Sequence, residues 1–215
     1  MPTYGGFFES SELTGEQVDE IERRFAPLTE ELRGLIDLAI RSEVGPEAVE
    51  AAVGHLRAAA TLLGSQARPG PAGVCHNPEG RSWQWGNAVV GKRNAIAPPM
   101  TVERHGDGST SARLTLGNAY EGPPSMVHGG VSALLLDHLM GVTASSMQRL
   151  TMTGTLTLRY TRPLPLGEVW LAGRITDDTG RKVTVTAEIG GVDGAAVEAQ
   201  GLFIVPSWSV APEAE

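Results

Sequence analysis

The chain has 215 residues, of which 41% are hydrophobic, and a formal net charge of −8 at pH 7. These values allow one ordinary domain with an appendage, and the negative charge argues against nucleic acid or an anionic membrane as a partner. The sequence contains no run of about 18 apolar residues, so it predicts no membrane span. The single cysteine, Cys75, excludes an internal disulfide and a multi-cysteine zinc site, and we expect it to be a small buried side chain.

Residues 1–65 are expected to form an acidic, helical N-terminal extension. Residues 1–50 carry 12 acidic and 4 basic side chains, whereas residues 51–215 carry 13 of each. Residues 1–50 therefore account for the whole net charge. The first residues lack the charged and apolar regions of a secretory signal, so we expect a soluble, cytoplasmic protein.

Two or three helices are predicted in this extension. Thr14-Gly-Glu-Gln17 fits a capping box and marks a helix start, and Gly45-Pro46 predicts a break. Apolar side chains recur at helical and then heptad-like spacing: Val18, Ile21, Phe25, Leu28, Leu32, Leu35, Ile36 and Ala39, and after the break Val49, Val53, Leu56, Ala60 and Leu63. Pro27 is expected to start or kink a helix. Because short helices are marginal alone, the extension should dock on the rest of the chain or on a partner subunit.

Residues 66–98 are rich in glycine and proline and are predicted to form a linker and an irregular segment. Trp83 and Trp85 alternate with Gln84. This alternation would place both rings on one face of an extended piece, where they would cover apolar surface or line a ligand pocket.

Residues 99–207 have the periodicity of strands around one helix, and residues 208–215 are expected to be a tail. The predicted strands are Met100–His105, Ser109–Leu116, Thr151–Thr161, Glu168–Asp177, Lys182–Gly190 and Ala195–Val205. The first two should form a hairpin at Gly106-Asp-Gly108. Strands that form one antiparallel sheet around a long apolar helix define an α+β class.

The predicted helix spans residues 129–147 and carries one carboxylate on an otherwise apolar surface. Its apolar positions are Val131, Leu134, Leu135, Leu139, Val142 and Met147. Such a helix is typically buried, so the charge of Asp137 needs a partner or a function. The helix begins at His128-Gly129-Gly130, where unpaired amides at the positive end of the helix dipole suit a carbonyl oxygen that gains negative charge.

These two groups cannot serve one carbonyl within a single helix. Asp137 lies eight residues beyond Gly129, which is roughly 12 Å along the axis at about 1.5 Å per residue. A two-fold dimer solves this problem, because the glycine amide of one subunit can meet the Asp137 carboxylate of the other at each of two equivalent sites. The spacing therefore predicts a homodimer.

The same residues resemble a known family over about half of the chain. The pattern consists of Gly122-Pro-Pro-x-x-Val-His-Gly-Gly130, the acid Asp137 nine residues after the histidine, Thr153, and Tyr160-Thr-Arg-Pro-Leu-Pro165. It is similar to hotdog-fold acyl-CoA thioesterases, in the thioesterase-superfamily-member branch and the phenylacetate-pathway type. Many bacterial members have an asparagine about six residues before the histidine, where this chain has Gly122.

The resemblance implies the chemistry of acyl-CoA thioester hydrolysis within lipid metabolism. Gly129 and His128 would polarise the thioester carbonyl, Asp137 would act as nucleophile or as base on water, and Thr153 would help to place the reacting group. Gly130, Tyr160, Arg159 and Arg162 are expected to contact substrate. Coenzyme A belongs to the substrate, and neither a cofactor nor a metal is required. The assembly would be a dimer or a tetramer.

Other interpretations of these residues stay open at this stage. Asp137 could be a buried structural acid, His128 could only cap the helix, and Thr153 could be an ordinary strand residue. Candidates for binding the coenzyme A phosphates are Arg159, Arg162, Arg174, Arg181 and Lys182, which could equally be solvated strand charges. His138 is about 100° round the helix from Asp137 and is expected to be structural.

Two alternative functions follow from these interpretations. One is an acyl-thioester hydratase or dehydratase, which would need a catalytic histidine beside the acid. The other is a non-catalytic acyl-CoA-binding module. The sequence leaves open the acyl chain length and the choice between aromatic and aliphatic acyl groups.

Overall fold

The structure is a computed structural model that describes residues 8–98, 100–145 and 149–207. Its helices are α1 (Gly15–Arg41), α2 (Pro46–Gly64) and α3 (Gly129–Ala144), with a short 3₁₀ helix at Asn118–Tyr120. Its strands are β1 (Phe8–Ser10), β2 (Val74–His76), β3 (Ser82–Trp83), β4 (Glu103–Arg104), β5 (Thr110–Leu116), β6 (Met152–Tyr160), β7 (Gly167–Thr179), β8 (Lys182–Gly191) and β9 (Gly194–Ile204). The predicted tail, residues 208–215, lies outside the described residues.

One antiparallel sheet wraps around α3 and forms the main core. The strand order is β4-β5-β7-β8-β9-β6. Helix α3 presents Leu135, Leu136, Leu139 and Met140 to the sheet, and all four are fully buried, as is Phe203 on β9. Burial of these large side chains supplies the driving force that holds the helix in the sheet. The α+β class, with an apolar helix wrapped by one antiparallel sheet, is confirmed.

The last four predicted strands agree with the structure to within two residues at either end, but the first does not. Met100–His105 was expected to form a strand, and only Glu103–Arg104 pairs with β5. The reason is that the Met100 amide donates to the carbonyl of Val89, 3.3 Å away, and so binds the preceding irregular segment. The predicted hairpin is present: the His105 amide donates to the Ser109 carbonyl at 2.9 Å.

Helix α3 ends at Ala144, earlier than the predicted residue 147; Met147 lies outside the described residues. Arg104 on β4 donates hydrogen bonds to the carbonyls of Val142 and Ser145 at this end. A cation bound to the last carbonyls of a helix satisfies these groups and interacts favourably with the helix dipole.

The capping box of α1 is confirmed. The Gln17 amide donates to Thr14 Oγ1 at 3.2 Å, and the Thr14 amide donates to Gln17 Oε1 at 2.9 Å. Pro27, expected to start or kink a helix, does not start one, since it lies inside α1. The extension therefore contains two described helices, separated near Gly45-Pro46 as predicted.

Helix α1 docks on a second, smaller sheet of order β1-β2-β3, whose last two strands lie in the segment predicted to be a linker. Arg81 forms an ion pair of 2.6 Å with Asp19, and Trp85 Nε1 donates to Glu22 Oε1 at 3.1 Å. Arg93 stacks over the ring of Phe25. Strands of two or three residues are too short to show a period, so the sequence pattern does not reveal them.

Helix α2 differs from α1 and α3 because none of its residues is buried. None of the described helices is long and apolar enough to cross a membrane.

Candidate active site at the start of helix α3

His128 caps the N-terminus of α3. Its backbone amide donates to the Tyr120 carbonyl at 2.9 Å, and its ring Nδ1 accepts the Gly130 amide at 3.0 Å. Because Nδ1 is an acceptor, the proton of the neutral ring is assigned to Nε2. His128 therefore uses one ring nitrogen to fix the helix start and retains an N–H donor on the other.

The Gly129 amide is the free donor of this turn. It has no hydrogen-bond acceptor within the described part of the chain. It lies in the first turn of α3, where the helix dipole favours negative charge. Tyr160 donates its hydroxyl to the Gly129 carbonyl at 2.9 Å, and a Cβ added to Gly129 would lie 3.2 Å from the Tyr160 ring. Glycine at 129 thus lets Tyr160 pack closely against the donor turn.

The loop before α3 explains why this chain has Gly122 in place of an asparagine. A Cβ on Gly122 would lie 2.7 Å from the His128 Cα. The Ser125 backbone has a φ of 63°, and its amide donates to Glu121 Oε1 at 2.6 Å. A side chain at 122 would therefore push against the residue that caps α3.

Asp137 lies half-buried two turns along α3, and its Oδ1 accepts a hydrogen bond of 2.8 Å from Thr153 Oγ1. Thr153 is on β6, the last strand of the large sheet. The structure therefore brings together two of the predicted site residues that lie 16 positions apart. A hydroxyl that donates to one carboxylate oxygen leaves the other oxygen available for a reacting group.

A β-bulge at Gly154 determines where Thr153 points. Thr153 pairs with Phe203, while Thr155 pairs with the adjacent Leu202, so the register shifts by one residue between them. A one-residue slip moves a side chain to the other face of a sheet. Thr153 consequently shares the inner face with Phe203 and α3, whereas Thr155 points outwards.

His138 follows Asp137 but differs from it in electrostatics. Burial lowers the pKa of the His138 ring, and the nearby Asp137 charge opposes that effect without reversing it. A lowered histidine pKa favours the neutral ring at neutral pH. This state fits the expected structural role of His138.

The predicted substrate-binding arginines do not gather around Asp137 in the single chain. Arg162 donates to the carbonyls of Ala195 and Asp193 at 2.6 and 2.5 Å, so it holds the turn before β9. Arg159 points away from α3 and lies 3.8 Å from Glu198. Their predicted role in binding substrate stays a prediction.

Helix α1 also contacts the 3₁₀ helix that precedes the start of α3, which the sequence pattern did not reveal. Asn118 donates to Asp37 Oδ1 at 2.7 Å, and Arg41 donates to the other oxygen of the same carboxylate. The Arg41 hydrogen bond, followed by that of Asn118, lowers the pKa of Asp37. Asn118 opens the 3₁₀ helix whose last residue, Tyr120, accepts the His128 amide. A contact across 81 residues has no local sequence signal.

Comparisons with known proteins agree with this fold. The sequence profile of the thioesterase superfamily matches residues 125–196. A crystal structure of a thioesterase superfamily protein has a TM-score of 0.75 and 34% identity, covering 84% of this chain and 90% of that chain. The chain therefore belongs to the thioesterase superfamily and has its hotdog fold.

Similar curated relatives include acyl-coenzyme A thioesterases named THEM4. The protein of Xenopus laevis is 37% identical over 87 residues, which cover 39% of this chain and 39% of the relative. The protein of Bos taurus is 31% identical over 118 residues, covering 53% of this chain and 48% of the relative. The chain thus spans less than half the length of the curated relatives it matches.

Proposed function

We propose that this protein hydrolyses acyl-CoA thioesters, with fatty or aryl acyl groups, to the free acid and coenzyme A. Asp137 either attacks the thioester carbonyl carbon, which gives a mixed anhydride that water then cleaves, or removes a proton from the attacking water. In both routes the C–S bond breaks and coenzyme A leaves as its thiolate, which takes up a proton from water to give the thiol. Lipid metabolism in the cytoplasm is the corresponding setting.

The observation that carries this proposal is the pair of a free Gly129 amide and a carboxylate that Thr153 orients. The amide and the Nε2 of His128 are N–H donors suited to a developing oxyanion. The carboxylate of Asp137 accepts a hydrogen bond of 2.8 Å from the Thr153 hydroxyl. The matched THEM4 proteins, named acyl-coenzyme A thioesterases, support the same reaction.

The site is proposed to form between two copies of the chain. Gly129 and Asp137 lie roughly 12 Å apart along α3, so one carbonyl cannot contact both within a subunit. Strand β6, which carries Thr153 and Tyr160, lies at the end of the sheet order and is mostly exposed. An exposed edge strand offers unpaired amides and carbonyls to a second chain. A two-fold dimer at this edge would juxtapose the α3 helices, and a tetramer remains compatible with it.

The alternative hydratase chemistry receives less support from the contacts. Hydratase chemistry needs a catalytic histidine beside the acid. Among the described hydrogen bonds, Asp137 accepts from Thr153 and from no histidine ring. His128 Nδ1 is occupied by the Gly130 amide.

The test is release of free thiol from acyl-CoA substrates over a series of chain lengths. We expect Asp137→Ala to lose about 10²-fold or more in kcat, the scale of a lost acid-base or nucleophilic group. Asp107→Asn, in the exposed hairpin turn, is the control and should retain turnover. Wild-type turnover in Asp137→Ala would overturn the proposal. So would tight acyl-CoA binding without hydrolysis at any chain length, or addition of water to an enoyl thioester.

A further inference from the structure

Helix α2 carries an apolar stripe that no part of the described chain covers. The stripe, here called the α2 seam, consists of Val49, Val53, Leu56, Ala60 and Leu63. Its valine and leucine members are between 37% and 50% exposed, and no residue of α2 is buried. Most helical stability in proteins comes from tertiary packing of an apolar face, and this face of α2 is exposed. The α2 seam therefore needs a partner.

Helix α1 also carries apolar side chains at helical spacing, and the rest of the chain covers the first of them. Val18 is fully buried by the small sheet, and Phe25 is half-buried beneath Arg93. Further along, Leu35 is 42% exposed and Leu38 is 55% exposed. The rest of the chain thus covers the apolar side chains in the first half of α1 but leaves those in its second half exposed. The exposed apolar surface continues onto α2.

The spacing of the α2 seam identifies the kind of partner. Its members follow one another at intervals of 4, 3, 4 and 3 residues, which is a heptad repeat with two positions on the seam. This 3.5-residue period is the pattern of a helix that packs against another helix. A lipid surface or a flat sheet would instead favour a broader apolar face.

We propose that the α2 seam pairs with α2 of a second copy of this chain, in antiparallel orientation about a two-fold axis. A two-fold contact uses the same patch on both chains, so one seam suffices to form it. In this alignment Val53 faces the Leu56 of the partner subunit. The small side chains that flank the seam, including Ala52 and Ala59, allow the helices to approach closely.

Charge complementarity favours the antiparallel orientation. Glu50 and Arg57 each directly follow a seam residue, so both occupy the same flanking position of the heptad. In an antiparallel pair of helices, this position lies beside the same heptad position of the partner helix. With Val53 opposite the Leu56 of the partner subunit, Glu50 comes within about 3 Å axially of the partner's Arg57. The two-fold axis repeats this pair. A parallel pair would place Arg57 beside the partner's Ala52 or Ala59 instead.

The location of α2 is also continuous with the proposed dimer. The hydrogen bond between Asp37 and Asn118 places the second half of α1 beside the loop that leads to His128. That loop borders the site that we propose to be shared between copies. The α2 pairing does not depend on the thioesterase reaction, and its tests do not measure activity.

Sedimentation over a dilution series tests the seam with two matched variants. Leu56 is in the seam, whereas Leu62 lies on the opposite side of the same helix and is 76% exposed. Leu56→Glu should raise the concentration for half-association at least tenfold, or yield a smaller assembly, while Leu62→Glu should behave as wild type. Equal assembly of the two variants would overturn the proposal. Unchanged thermal unfolding of both would show that the body stays folded.

Oxidative cross-linking tests contact and orientation directly. The double variant Val53→Cys and Leu56→Cys should form a covalent dimer, because these positions face each other across the axis. Leu63→Cys alone should not, since antiparallel helices keep the two copies of this position about 20 Å or more apart along the axis. The native Cys75 is buried and serves as the wild-type background. A covalent dimer from Leu63→Cys, or none from the double variant, would overturn the antiparallel pairing.

Discussion

The donor turn depends on three residues with different tasks. His128 caps the helix through Nδ1, Tyr160 fixes the Gly129 carbonyl through its hydroxyl, and Gly129 leaves its amide without an acceptor in the described chain. His128 and Tyr160 act on the backbone in the structure. Tyr160, expected from the family pattern to contact substrate, thus binds the backbone of this turn.

Two replacements of Gly129 distinguish the contribution of its backbone amide from the effect of an added side chain. Gly129→Pro removes the N–H at the first helical position, where proline is well tolerated, and the extended backbone of His128 (ψ 131°) suits a following proline. Gly129→Ala adds the same Cβ near Tyr160 but retains the N–H. We expect kcat to fall about 10² to 10³-fold more in the proline variant, as for a lost oxyanion donor. Equal kcat values would show that another group holds the oxyanion.

The ring of His138 gives the protein a pH-dependent stability. Its pKa is below the ordinary value of 6.5 because of burial, so the unfolded chain binds more protons as the pH falls. The contribution is present above 6.5 and is lost as the pH falls through that value towards the folded pKa. Urea unfolding at about pH 7.5 and about pH 5.5 should show this loss, and His138→Gln should reduce the difference. An unchanged difference in that variant would assign the loss to other groups.

At the scale of elements, the bulge in β6 decides whether Thr153 can contact Asp137. The family pattern identified Thr153, but regular alternation along Thr151, Thr153, Thr155 and Thr157 would place all four on one face. The structure inserts one residue at Gly154, and only then does Thr153 face Asp137. A bulge depends on the pairing partner β9, so the β6 sequence alone does not specify it.

Gly154→Ala tests the bulge. A Cβ there would lie 3.1 Å from Ile204 Cγ1 and 3.2 Å from the Leu202 carbonyl, so the strand must shift. We expect kcat to fall about tenfold, equivalent to about 1.4 kcal/mol, because the Thr153 hydroxyl moves from Asp137. Gly106→Ala in the hairpin, where a Cβ meets open space, is the control. If both variants retain wild-type kcat, the bulge does not position Thr153.

The sequence predicted the long elements well and the short ones poorly, for a physical reason. Helix α3 is a run of 16 mostly apolar residues, and strands β7 to β9 bury alternate apolar side chains, so these elements have a clear signal in the sequence. Strands β2 and β3 have three and two residues and depend on α1, which lies far away in sequence. In the same way, Asp37 supports Asn118 through a contact that only the folded chain creates.

At the scale of the whole molecule, the proposed site divides its groups between subunits. A mixture of two inactive variants can therefore regain activity. When Asp137→Ala and Gly129→Pro chains exchange, half of the dimers are mixed, and each mixed dimer has one intact site. We expect about a quarter of wild-type turnover in an equal mixture. No recovery after verified subunit exchange would place both groups of a site in the same chain.

The contact between α1 and the small sheet can be followed by tryptophan fluorescence. The indoles of Trp83 and Trp85 have centroids 6.0 Å apart, and Trp85 is bound by Glu22 of α1. Detachment of the helix would expose this pair to water and shift its emission to longer wavelength, while the large sheet stayed intact. Fluorescence and circular dichroism recorded together can therefore distinguish release of the N-terminal helices from loss of the hotdog core.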